Sequence, residues 1–269
     1  MDKEFNYKET SIHYTISGNG LSVVLLHGFA EDGRVWDEQV KVLQAHCRVI
    51  VPDLPGSGKS SKLQQEKVAM EDYADLVYAL VVFENIEKFV VLGHSMGGYI
   101  ALAIAARYAN EIAGFGFVHS TAFADSDEKK NTRRKGIQFI NKYGAYPFIK
   151  NATPNLFSAL YKKQHPEKIN ELIENGRDFS KEALMQYYAA MIERPDRTNV
   201  LEKSKVPVLF IVGSEDAAAP LEDLLKQVHL PSISFIHILK EVGHMGMWER
   251  PFQVNEYLLA FIRYCNSSI

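Results

Sequence analysis

Apolar residues in this chain fall into short unbroken runs separated by amphipathic stretches. The runs Val23-Val24-Leu25-Leu26, Arg48-Val49-Ile50-Val51, Phe89-Val90-Val91-Leu92, residues 112–118 and Val208-Leu209-Phe210-Ile211-Val212 read as strands covered on both faces, as in parallel sheets. Between them, residues 34–43, 70–83 and 96–108 carry helical spacing. Leu76, Leu80 and Phe83 share one face of the second helix, and the third is apolar nearly all round, the mark of a buried helix. Strand and helix alternate from about residue 23 to 119, which predicts a mostly parallel, twisted sheet with helices on both faces. Two short strands at 5–7 and 12–16, the second ending before Gly18-Asn19-Gly20, read as an antiparallel hairpin at a sheet edge.

The alternation stops after the sixth strand. Residues 121–203 hold no convincing strand; helical spacing recurs at 127–143, 155–163, 166–175 and 181–192. This segment reads as a helical lid, or cap, inserted into a core made of residues 1–120 and 204–269. Beyond the strand at 208–212, a helix near 221–228, a strand near 234–239 and a helix at 251–264 complete the pattern. Val254, Leu258, Phe261 and Ile262 form the buried stripe of that last helix. No internal repeat or low-complexity segment interrupts the scheme.

Composition narrows the function classes. Hydrophobic residues make up 46% of the 269, enough for a sizeable core. The formal net charge of -3 gives no general attraction to phosphate backbones, so no nucleic-acid partner is expected. No apolar run approaches the ~20 residues that span a bilayer. The polar N-terminus lacks the basic start and apolar stretch of a signal peptide. Cys47 and Cys265 read as free thiols in a reducing cytosol, which places the chain in the cytoplasm. No Cys/His group has zinc-ligand spacing, so neither a metal nor another cofactor is expected. Oligomeric state is left open.

The sharpest chemical signal is Gly93-His94-Ser95-Met96-Gly97. This G-x-S-x-G pattern ends a strand and opens a helix, the setting in which a serine is lifted out of a sheet on strained backbone. A serine hydroxyl needs a general base. His244, in the loop after the last strand, would open on the same carboxyl edge as Ser95. Asp216 follows Val212-Gly213 onto that edge and is the expected orienting carboxylate, with Glu215 and Asp125 as competitors. The order Ser…Asp…His suits the arrangement. Donors for an oxyanion would be the backbone N–H groups of Met96 and of Phe29, in His27-Gly28-Phe29. The end of Asp53-Leu54-Pro55-Gly56-Ser57-Gly58-Lys59-Ser60 imitates a phosphate-binding loop, but Asp stands where that motif needs its first glycine.

Taken together, these segments resemble the α/β-hydrolase superfamily, in particular its single-domain esterase, lactonase and C–C hydrolase-like members. The resemblance rests on His27-Gly28-Phe29 with Trp36 downstream, on Asp53 to Ser60, on Gly93 to Gly98, and on Gly243-His244 followed by Glu249-Arg250-Pro251. It spans nearly the whole chain except the helical insertion. It implies the α/β-hydrolase fold, a structural turn at Pro55-Gly56, and a cofactor-free serine hydrolase acting on a small ester-like substrate through an acyl-enzyme. A C–C bond hydrolase, a lactonase and an acyltransferase share the same motifs, and peptidase activity is a minor option. A non-catalytic ligand-binding protein on the same scaffold is the rival of a different class. Substrate-binding residues are not assigned. The insertion's aromatics, among them Phe148, Tyr187 and Tyr188, either glue it to the core or line a pocket. Lys129-Lys130 with Arg133-Arg134-Lys135 reads as a solvated helix face, with an acidic-substrate funnel as the alternative.

Overall fold

The computed structural model describes residues 1–268. Its strands are β1 Asp2–Tyr7, β2 Thr10–Ser17, β3 Ser22–Leu26, β4 Arg48–Pro52, β5 Phe89–His94, β6 Ile112–Val118, β7 Val208–Gly213 and β8 Ser234–Leu239. The helices of the first half are α1 Asp37–Leu43, α2 Met70–Phe83 and α3 Met96–Arg107. Between β6 and β7 lie α4 Asp127–Tyr143, α5 Ala145–Ala152, α6 Ala159–Gln164, α7 Pro166–Asn175, α8 Lys181–Glu193 and α9 Thr198–Glu202. The chain then adds α10 Leu221–Leu225, α11 Gly246–Glu249 and α12 Pro251–Ser267.

The eight strands form one sheet in the order β1-β2-β4-β3-β5-β6-β7-β8. β2 runs antiparallel to both β1 and β4, and the other neighbours are parallel. The unbroken apolar runs have a simple cause. Along β3, Val24 and Leu26 enter the core on one face with α2 and α3, while Val23 and Leu25 enter the core on the other with α1 and α12. A strand buried on both faces cannot alternate polar and apolar residues. At the edge, β8 keeps one side partly exposed. Both cysteines are buried and unpaired, and burial pushes their thiols up, Cys47 to about 11 and Cys265 to about 12. No described helix is long and apolar enough to cross a membrane.

Strand order places the site. From β3 the chain moves to β4 on one side, then returns to β5 on the other. Such a reversal opens a crevice at the carboxyl ends of the flanking strands. The register pairs Leu26 with Gly93 and His94 with Val118, so the loops after β3, β5 and β6 emerge level with one another.

Several sequence-based boundaries need correction. The helix expected over 34–43 is a 3-10 turn at Gly33–Trp36 followed by α1, because the Asp32 side chain accepts from Arg34 N–H and starts the turn early. The helix expected over 155–163 breaks. A 3-10 turn ends at Leu156, Phe157 is extended, and Ser158 caps α6 through Tyr161 N–H. Helices α5, α9 and α11 were not anticipated. In α5, Pro147 lies in the first turn, where a missing N–H costs nothing. The helix expected over 221–228 stops at Leu225.

Candidate active site

Ser95 joins β5 to α3 at φ 49°, ψ −114°, a backbone region costly for any residue with a Cβ. The close approach of α3 to β3 enforces this turn. A Cβ on Gly97 would lie 2.4 Å from the Leu26 carbonyl oxygen, and one on Gly93 would lie 2.1 Å from the Gly97 backbone. Ser95 N–H donates to Val118 C=O at 3.0 Å, and the Ser120 hydroxyl donates to Ser95 C=O at 2.7 Å.

Across the crevice, His244 Nδ1–H donates to Asp216, with Oδ1 at 2.9 Å and Oδ2 at 2.8 Å. This leaves Nε2 as the basic nitrogen. Both side chains are buried. Glu215 is exposed, and Asp125 is bound to Arg133 and Arg194, so neither competitor touches His244. Ser95 and His244 line one cavity of about 160 Å³. No hydrogen bond joins Ser95 Oγ to His244 among the described residues; such contacts tighten when substrate binds.

Asp216 has a second histidine partner that the sequence reading missed. His119 Nε2 accepts from Gly246 N–H at 3.1 Å. The ring proton is therefore on Nδ1, which donates to Asp216 Oδ2 at 2.9 Å. Oδ1 also accepts from the N–H groups of Ala218 and Ala219. Burial alone would raise the Asp216 carboxyl, but His244 and His119 outweigh it and hold Asp216 well below the usual carboxylate range. Burial pulls His119 down to about 4, with Asp216 opposing only in part. His119, Asp216 and His244 are close enough to hold a metal ion, yet the donor set does not fit one. Both His119 nitrogens are committed, and a metal on Nδ1 would cost the Gly246 bond.

A second buried pair ties the loops together. His94 Nε2–H donates to His244 C=O at 3.0 Å, and its Nδ1 meets Glu31 Oε2 at 2.8 Å. Burial works against charge on both groups, but their mutual attraction wins: His94 is raised and Glu31 lowered. They form a buried ion pair. Glu31 Oε2 also accepts from Gly28 N–H at 2.7 Å.

On the same loop, His27 Nε2 accepts from Leu54 N–H, so its Nδ1–H donates to Gly28 C=O at 2.8 Å. The Gly28–Phe29 peptide is trans, so fixing that carbonyl beside His27 turns Phe29 N–H to the opposite side. Among the described residues, neither Phe29 N–H nor Met96 N–H donates to an acceptor.

The helices between β6 and β7 complete the cavity. Phe148, Ile149, Leu156, Leu172 and Tyr188 contribute apolar wall, and Phe29 stacks on Tyr188 with ring centroids 4.1 Å apart. Tyr187 is buried instead, its hydroxyl donating to Pro55 C=O at 2.7 Å. Leu156 C=O accepts from His244 N–H at 2.6 Å. Glu249 accepts from Gly243 N–H and Ser158 N–H. The basic stretch of α4 is not uniformly a solvated face: the Arg133 side chain is only 13% exposed, and Lys129 and Arg133 line the cavity. Asp53 organises the turn that imitates a phosphate loop, accepting from Gly33 N–H and Lys59 N–H. A larger cleft of about 430 Å³ beside that turn contains none of Ser95, Asp216 and His244.

Comparison with known proteins agrees with this architecture. A family model for the alpha/beta hydrolase fold matches residues 22–251, and the chain belongs to that family. It is 28% identical over 256 residues to a dihydrolipoyllysine-residue acetyltransferase component of an acetoin cleaving system from Pseudomonas putida, covering 91% of this chain and 64% of that protein's length. It is 26% identical to the 2-hydroxy-6-oxo-6-phenylhexa-2,4-dienoate hydrolase of Comamonas testosteroni, covering 94% of this chain and 91% of the relative. Among solved structures, a thermophilic esterase from Thermogutta terrifontis with malate bound matches with a TM-score of 0.92 at 29% identity, covering 99% of both chains.

Proposed function

We propose that this chain is a serine hydrolase that cleaves a carboxylic ester through an acyl-enzyme. The observation that carries the reading is the buried Asp216–His244 pair, with His244 lining the same cavity as the strained Ser95. Ser95 Oγ attacks the ester carbonyl while His244 Nε2 takes its proton. Asp216 holds the ring orientation and stabilises the imidazolium. The Phe29 and Met96 amides receive the oxyanion. The imidazolium gives its proton to the departing alkoxide, leaving Ser95 acylated. Water, deprotonated by the same His244, then releases the acid and restores Ser95.

Residues 121–203 act as a lid over a core of residues 1–120 and 204–269, with Phe148 and Tyr188 forming the pocket wall. The two buried thiols fit a cytoplasmic setting. The Thermogutta esterase supports the ester reading. Carbon–carbon bond hydrolysis, lactone opening or acyl transfer would use the same groups, and the Comamonas relative is a hydrolase of 2-hydroxy-6-oxo-6-phenylhexa-2,4-dienoate.

The test is hydrolysis of p-nitrophenyl esters of increasing acyl length, with Ser95→Ala alongside. Turnover that falls roughly 10⁴-fold in the variant supports the reading. Absence of both turnover and fluorophosphonate labelling of Ser95 overturns it.

A further inference from the structure

The cavity beside Ser95 holds more positive charge than the fold needs. Resting on the serine-hydrolase reading, we propose that Tyr99, Lys129 and Arg133 form a carboxylate-binding subsite, and that the natural ester carries a carboxylate a few bonds from the carbonyl that Ser95 attacks.

Lys129 and Arg133 stand four residues apart on α4, hence on one face, and both line the cavity that holds Ser95 and His244. Each has donors to spare. Arg133 spends Nε and one Nη2 hydrogen on Asp125, at 2.6 and 3.3 Å, and its Nη1 has no acceptor among the described residues. Lys129 Nζ donates once, to Ala218 C=O at 2.7 Å. Tyr99 lines the same cavity, and its hydroxyl has no hydrogen-bond partner among the described residues.

The charges do not cancel. Arg194 joins Arg133 on Asp125, at 3.0 Å, and its guanidinium lies over the Tyr99 ring at 3.8 Å. Two guanidiniums thus share one carboxylate, and Lys129, bonded only to Ala218 C=O, brings a third positive charge with no carboxylate of its own among the described residues. The acid that lines the cavity, Glu31, is paired with His94. Asp216 is enclosed by its own four donors. Tyr99 registers the imbalance: burial should raise a phenol, yet Arg194, Lys129 and Arg133 together bring it below its ordinary value. An excess of desolvated positive charge is unfavourable until an anion enters.

Geometry limits the ligand. Tyr99 lies one helical turn beyond Ser95, about 6 Å along the axis. A carboxylate there sits about two to three carbon atoms from the reacting carbonyl, as in a half-ester of a short dicarboxylic acid. The small cavity suits such a size.

The experiment compares kcat/KM for monomethyl succinate and for methyl butyrate, its neutral counterpart of similar length. The expected ratio favours the charged ester by about tenfold or more. Arg133→Gln should cut that ratio by about tenfold or more, the weight of a charged hydrogen bond, and Lys129→Gln, which leaves the Asp125 pair intact, should lower it too. Arg134→Gln, an exposed neighbour, should leave the ratio unaltered. Equal rates for both esters, or a ratio insensitive to Arg133 and Lys129, overturn the subsite while the serine-hydrolase reading stands. If neither ester is cleaved, the subsite is read by protection. Succinate should slow fluorophosphonate labelling of Ser95 in the wild type and not in Arg133→Gln. Labelling that succinate leaves unchanged overturns the proposal.

Discussion

The His119–Asp216 contact makes a prediction that reads out in stability rather than rate. Consider His119→Asn. His119 sits at φ 55°, a left-handed conformation that asparagine tolerates. The amide nitrogen of asparagine takes the place of Nδ1, so the donation to Asp216 survives. Gly246 N–H, buried beneath Nε2, loses its acceptor. That loss costs about 1–3 kcal/mol, so the variant is the less stable protein at pH 7. Acid reverses the comparison. Folded His119 titrates at about 4, whereas an unfolded histidine titrates at about 6.5. Between those values the unfolded chain binds a proton that the native state refuses, and wild-type stability falls as pH falls, by about 3 kcal/mol across the interval. Asparagine does not titrate and escapes this loss. The gap at pH 7 should therefore close or change sign by pH 4. Urea unfolding of both proteins at several pH values and constant ionic strength measures it. Parallel profiles from pH 6.5 to 4 would refute the reasoning, because they would mean that folded His119 takes up a proton as readily as the unfolded chain does.

Two further substitutions probe the groups around the cavity. Asp216→Asn should lower kcat by about 10⁴-fold in ester hydrolysis, because an amide no longer selects the productive His244 tautomer; near-wild-type turnover would move the acid's role to another carboxylate. Glu31→Ala strands His94 without its counter-charge and leaves Gly28 N–H unbonded, so urea unfolding near pH 6 should show a loss of about 3–5 kcal/mol. The sign with pH follows from the raised His94. Its contribution is complete below about pH 6.5 and fades as pH climbs through the folded value, so the wild-type margin over Glu31→Ala should shrink toward alkaline pH.

What was legible in the sequence was whatever local pattern dictates. The buried strands show as unbroken apolar runs, and Ser95, Asp216 and His244 stand out as candidates by a rule of position, each following a strand onto the carboxyl edge. His119 obeys the same rule after β6. It does not stand out because a complete set of candidate groups is already in view, and its value depends on Gly246, 127 residues away. Glu31 was hidden for a similar reason. It looks like a surface acid until its His94 partner, 63 residues on, is placed beside it. The break at Phe157 is a tertiary event: the chain there is extended, and its Leu156 carbonyl is taken by His244 N–H, a contact no local spacing announces. The basic stretch with Arg133 reads as a solvated face, with a substrate funnel as the alternative, because helical periodicity shows which residues share a face, not what lies opposite; here α4 turns Lys129 and Arg133 toward the crevice.

The His94–Glu31 pair also bears on how such a protein can diversify. Through it the loop holding Gly28, the turn holding Ser95 and the loop holding His244 are bonded to one another before any substrate arrives. A change in one of these loops disturbs the others. The cavity walls contributed by α5 and α8 carry no such bonds: Phe148, Ile149 and Tyr188 touch the crevice through apolar contact, Tyr188 stacking on Phe29, and none of their side chains hydrogen-bonds to Ser95, Asp216 or His244 among the described residues. Mutational drift can therefore reshape what enters while sparing the apparatus beneath, and new preferences should be reachable by single steps in those helices. Evolvability here is a matter of which hydrogen bonds are shared and which are not.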